Sequence, residues 1–129
     1  EVFDGRVQGQ EAAAMYIASN ALGCWLTWEL SLLELMTPWQ AKAVVVAGDR
    51  LGCISHSRLV LRALGDTPVL ALVLSTGERQ DLSQTSNHRS LERLEPEVEL
   101  IRLPFLRDPG QEASAYLEAL ASRIVHELG

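Results

Sequence analysis

Three short apolar runs dominate the chain, at residues 42–47, 68–75 and 98–103. Runs of this length, rich in β-branched residues and flanked by glycine or proline, predict strands covered on both faces, as in a parallel sheet. Between the first two lies residues 53–64. Its apolar positions Ile54, Leu59, Leu61 and Leu64 allow one buried stripe with Arg58 and Arg62 outside it, and Gly65 ends the helix. Residues 76–87 are polar and contain glycine, which predicts a mobile loop. Residues 90–94 read as a short helical turn stopped by Pro96, 104–110 as a rigid loop and 112–128 as a final helix. The order strand, helix, strand, helix, strand, helix predicts an α/β fold with a parallel sheet and right-handed crossovers. Three strands make a thin sheet with exposed edges, which predicts further strands on the N-terminal side or a partner chain.

The first forty residues are less regular. Residues 11–22 are rich in helix formers and predict a helix that Gly23 ends. Residues 24–30, with Trp25 and Trp28, read as a buried loop or short strand. Ser31 and Glu34 have capping-box spacing and open a short helix through Met36, before Pro38. The whole reads as one domain over residues 1–129, with 1–30 its least regular part. The chain opens on Glu1 rather than Met. This points to a processed product, a trimmed form or a piece of something longer.

Composition narrows the partners. Hydrophobic residues make up 47% and charged residues 22%, which suits a globular core and not a disordered chain. A net charge of −6 with scattered basic residues argues against a nucleic-acid or membrane-surface binder. No apolar run approaches the ~20 residues of a membrane span. No signal-peptide pattern opens the chain, so the expected location is the cytoplasm. Cys24 and Cys53 lie far apart without metal-ligand spacing, and read as reduced thiols rather than a zinc site. Lys42 is the one lysine.

Candidate chemistry concentrates after the first strand. Gly48-Asp49-Arg50-Leu51-Gly52 is a turn at the strand's carboxyl end, where open α/β sheets bind ligands. The helix that follows presents unpaired backbone N–H groups at its first turn, Cys53-Ile54-Ser55, a ready site for a carboxylate or phosphate. Arg50 can add charge there. His56 reads as a packed helix residue and His88 and His126 as solvated. Glu95 and Glu97 read as surface charge, and Trp25, Trp28 and Trp39 as packing residues.

The segment Ala47-Gly48-Asp49-Arg50-Leu51-Gly52-Cys53-Ile54-Ser55-His56 resembles the dethiobiotin synthetase signature V-x-x-K/R-L-G-x-I-N-H. Residues 31–39, the strand 68–75 and Leu103-Pro104-Phe105-Leu106 resemble neighbouring parts of that family. The likeness covers about residues 25–128, the C-terminal half of such an enzyme. It implies a three-layer, P-loop-NTPase-like α/β fold, incomplete here, and a homodimer. It also implies an ATP- and magnesium-dependent ligase that carboxylates 7,8-diaminopelargonate and closes the ring of dethiobiotin, in biotin biosynthesis. Residues Arg50, Leu51, Gly52, Cys53, Ile54 and Ser55 would bind the substrate's carboxylate. Ser75, Pro104, Phe105 and Leu106 would border the nucleotide.

The chain also departs from the family. No G-x-x-x-x-G-K-[ST] is present, so no phosphate cradle with its lysine. Asn20-Ala21-Leu22-Gly23-Cys24 stands where the family has an acidic, glycine-rich segment near magnesium. Ser55 and Ser75 stand where the family has asparagine. The P-loop half would have to come from a missing segment or a partner chain. The alternative is a non-catalytic relative acting in dimerisation or ligand sensing.

Overall fold

The computed structural model describes residues 3–7, 14–18, 25–27 and 29–128. They fall into two compact units, Glu1–Gln40 and Ala41–Glu127. In the first, β1 (Phe3–Val7) pairs antiparallel with β2 (Ala14–Ala18), Phe3 opposite Ala18 and Val7 opposite Ala14. The helix expected over 11–22 is thus overturned at 14–18, which is extended. Tyr16 and Ile17 favour extended backbone, and pairing with β1 supplies hydrogen bonds that helix propensity alone does not outweigh. Residues 11–13, 19–22 and Gly23 lie outside the described residues, as does Cys24. A second small hairpin joins β3 (Trp25–Thr27) to β4 (Leu30–Ser31). Thr27 and Glu29 are exposed, so this is not the wholly buried segment its tryptophans predict.

Ser31 then caps α1 (Leu32–Met36). The Glu34 N–H donates to Ser31 Oγ at 3.4 Å and the Ser31 N–H donates to Glu34 Oε2 at 2.7 Å. This is the reciprocal arrangement that the spacing predicts. The bond from the Ser31 backbone holds the Glu34 carboxyl below its ordinary pKa.

The second unit runs β5 (Ala43–Gly48), α2 (Cys53–Leu64), β6 (Val69–Ser75), α3 (Gln84–Leu94), β7 (Leu100–Leu103) and α4 (Pro109–Leu128). The strands form a parallel sheet in the order β5-β6-β7. This is an α/β fold in which each parallel strand alternates with a helix. The central strand β6 is buried from Leu70 to Leu74. On one face Leu72 and Leu74 pack with Cys53 of α2 and Leu91 of α3. On the other, Ala71 and Val73 pack with Ile101 and with Leu120 of α4. Each fully buried leucine contributes about 1.5–3 kcal/mol by removing apolar surface from water.

Three helices differ from their sequence reading. In α2 Ile54, Leu61 and Leu64 pack inward as the stripe predicts, joined by buried Cys53 and Ser57, while Leu59 is exposed. At 100° per residue Leu59 stands about 200° round the helix from Ser57, on the opposite side. The helix α3 starts at Gln84, inside the stretch that polarity assigns to a loop. Its polar first turn is anchored by buried Asn87, and the segment ahead of it folds back on Asp81. Likewise α4 starts at Pro109, where the missing N–H costs nothing at a helix's first position. Among the described residues no helix is long and apolar enough to cross a membrane.

Candidate functional site

The three parallel strands end level with one another. Gly48 pairs with Ser75, and Ser75 with Leu103. The ladder extends one bond beyond the strands: the Asp49 N–H donates to the Ser75 carbonyl and the Thr76 N–H to the Leu103 carbonyl, both at 2.8 Å. The loops carrying Arg50–Ser55, Ser75 and Pro104–Leu106 therefore leave the sheet side by side. The two residue sets that the sequence singles out share one carboxyl edge, the crevice position of open α/β sheets. Phe105 is exposed, and Ser75, Pro104 and Leu106 are half-buried.

The turn after β5 is built tightly. The Arg50 N–H donates to the Gly48 carbonyl and the Cys53 N–H to the Arg50 carbonyl. Gly52 caps α2 at φ +91°, where a side chain is strained and glycine is not. A polar clamp fixes the turn to the start of α3. Asn87 Nδ2 donates to Asp49 Oδ1 at 2.9 Å, to the Arg50 carbonyl at 3.3 Å and to Ser83 Oγ at 3.1 Å. Ser83 donates through its N–H and Oγ to Asp81 Oδ1, and Asp81 Oδ2 accepts the Leu51 N–H at 3.0 Å. Asp49 is 2% exposed, and its Oδ2 has no partner among the described residues. The Asp81 carboxyl lies below its ordinary pKa, chiefly through the Ser83 hydroxyl and then the Leu51 N–H. Burial pushes the Cys53 thiol up, against an opposing hydrogen bond from the Arg50 backbone, and the charges of Asp49 and Asp81 add to the rise.

This geometry sorts the six residues from 50 to 55. The N–H groups of Leu51 and Cys53 are consumed within the turn. Gly52, Ile54 and Ser55 have no partner for theirs among the described residues, and all three line a shallow cleft of about 410 Å³ with Arg58, Leu59 and Arg62. Arg50 and Cys53 instead line a cleft on the opposite flank of α2, toward the edge of β5. Arg58 and Arg62, which sequence reading left on the outer surface, and Leu59, which it placed in the buried stripe, are site-lining residues. Their spacing from Ile54 and Ser55, three to four residues at a time, puts them on one helix face and is the signal that locates them. Arg58 Nε pairs with Glu95 Oε1 at 2.6 Å, while Arg62 has no ion-pair partner among the described residues. His56 is exposed rather than packed, and Trp39 is 48% exposed.

The fit for a nucleotide's phosphates and magnesium is poor. Lys42 sits at the opposite, amino end of β5, where its Nζ donates to the Glu127 carbonyl and lies 3.5 Å from the Glu127 carboxylate. Among the described residues no group of three His, Cys, Asp or Glu side chains could hold a metal ion. Among the described residues the carboxyl edge thus offers a helix start with unpartnered N–H groups and a row of loops, but no lysine and no metal-holding cluster. No family model, curated protein or solved structure matches the chain.

Proposed function

We propose that the chain is a dethiobiotin synthetase-like protein of the P-loop-NTPase-like α/β type, and that its part in that chemistry is to hold the carboxylate tail of 7,8-diaminopelargonate. The observation that carries this is the cleft at the start of α2. Three N–H groups without partners, the positive end of a twelve-residue helix and Arg62 favour a carboxylate. Ile54 and Leu59 offer an apolar wall for a methylene chain. Arg50, on the other flank, contributes long-range charge only. In this reading Ser75 and Pro104–Leu106, on the same carboxyl edge, border a base. No phosphoryl step is assigned to these residues, because none of them fits the phosphates or magnesium. That chemistry would need a P-loop segment or a partner chain, and a homodimer would bring two such clefts together.

Titration calorimetry tests the reading with 7,8-diaminopelargonate and its methyl ester. The acid binds and the ester binds at least about tenfold more weakly, as expected on losing a charged hydrogen-bond acceptor. Ser55→Pro removes one first-turn N–H without breaking the helix interior, and weakens the acid by a similar factor. Equal binding of acid and ester sinks the reading.

A second reading is favoured by Lys42. The one lysine of the chain is tied to Glu127 at the wrong end of the sheet, which suits a non-catalytic relative acting in dimerisation or ligand sensing. Tight binding of magnesium–ATP by the chain would overturn it.

A further inference from the structure

The outer edge of β5 is unpaired among the described residues. The N–H groups of Ala43 and Asp49 donate toward β6, to Pro68 and Ser75. Alternation along the strand therefore turns the N–H and C=O groups of Val44 and Val46 away from β6. No strand of the unit pairs there, since the sheet order begins at β5. The sequence Ala-Val-Val-Val-Ala-Gly carries no proline or charge of the kind that protects edges. Its composition is that of an interior strand.

Three further observations say what fits beside it. A cleft of about 190 Å³ runs between β5 and α2, lined by Val45, Cys53, His56, Ser57 and Val60. Ser57 is 1% exposed and its Oγ has no partner among the described residues. On the other face of the strand Val46 is 65% exposed. A neighbour must therefore be apolar on both faces. At the carboxyl end the Arg50 side chain runs along Gly48, and it has no carboxylate partner among the described residues.

We propose that the β5 edge is a strand-addition site for an extended polypeptide segment, apolar on both faces, with a carboxylate at the end that meets Arg50. Backbone bonds to Val44 and Val46 supply affinity, the cleft takes one alternate side chain, and Arg50 selects the acidic end. A second copy of β5 is the poorer occupant. Antiparallel self-pairing with Val46 against Val46 lays Lys42, already paired with Glu127, beside Arg50 and brings Arg50 no free carboxylate from β5. The proposal does not rest on the carboxylate-tail reading, whose cleft lies on the opposite flank of α2.

The test uses the full chain and a valine-rich acetylated peptide as long as β5. It is made in three forms: ending in aspartate amide, in asparagine amide, and in asparagine with a free carboxylate. Amide NMR reads the site. The expected result is that both acidic forms shift and protect the Val44 and Val46 amides, and bind at least about tenfold more tightly than the neutral form. The two acidic forms tell a side-chain carboxylate from a chain terminus. Val46→Pro deletes an outward N–H and abolishes binding. If that variant fails to fold, Val46→Lys places a charge on the exposed edge and blocks addition with the fold retained. Arg50→Ala keeps binding and levels the three peptides. Absence of binding by all three forms, or binding that leaves the β5 amides unmoved, overturns the proposal. Equal affinities in the unsubstituted chain remove Arg50 and the acidic end from it. Unchanged binding of the 7,8-diaminopelargonate acid in Val46→Lys separates this site from the first.

Discussion

Asp49 is an unexpected residue, a carboxyl group closed into the interior with one oxygen held by Asn87 and the other without a partner among the described residues. A buried polar group is tolerated when its hydrogen bonds are made, and removing the single donor exposes the whole desolvation cost. Asn87→Ala is therefore expected to destabilise the chain by about 1–3 kcal/mol, read from the urea midpoint. The double variant Asp49→Val with Asn87→Leu removes both partners and recovers most of that loss. A double variant as unstable as Asn87→Ala would show that packing and not the polar pair decides the site. The neighbouring thiol has a simpler consequence. Cys53 is buried and its pKa is raised, so little reactive thiolate forms at neutral pH. Iodoacetamide should leave the Cys53 peptide unlabelled in the native chain and label it in urea, as peptide mass spectrometry will show. None of this is legible in the sequence, where Asp49 reads as a turn residue and Asn87 as part of a polar loop.

Among the elements, the loop between β6 and α3 does more than connect. Asp81 accepts from Ser83 and from the Leu51 N–H, so it ties the β5–α2 turn to the segment leading into α3. Its folded pKa is depressed, so the folded state holds fewer protons than the unfolded chain at acid pH. The stability Asp81 contributes is complete above the ordinary aspartate range, about pH 4, and is lost as pH falls through its folded value. The gap in urea midpoint between the chain and Asp81→Ala should therefore be constant near neutral pH and close below about pH 4. A gap that persists in acid would mean the variant acts on packing. Elements with strong local signals were readable. The capping box marked α1, Gly65 marked the end of α2, and the apolar runs placed the three parallel strands to within a residue or two. The failures share one physical cause, that tertiary pairing outweighs composition. β2 becomes a strand because β1 pairs with it, and α3 gains a first turn because Asn87 finds Asp49. The carboxyl-edge site was readable as a turn entering a helix. Its division between two flanks of α2 was not, because it depends on which N–H groups the turn consumes.

At the scale of the molecule, the sheet depends on its middle strand. Leu72 is fully buried and packs with Cys53 and Leu91 from two helices. Leu72→Ala is expected to cost about 2–5 kcal/mol, a large share of the 5–15 kcal/mol typical of a domain. Thermal or urea unfolding should show the sheet and α2 lost in one transition. Separate transitions for the two would show that α2 does not depend on β6 for its order. The tie between Lys42 and Glu127 has a practical consequence. It brings the start of β5 and the end of α4 to the same side of the sheet, at the amino edge, away from the row of loops. Whatever is joined covalently after α4 is joined on that side. An affinity tag, a fluorescent reporter or a sensor-chip anchor attached after α4 would thus hold the unit by its back, with the carboxyl-edge loops turned outward.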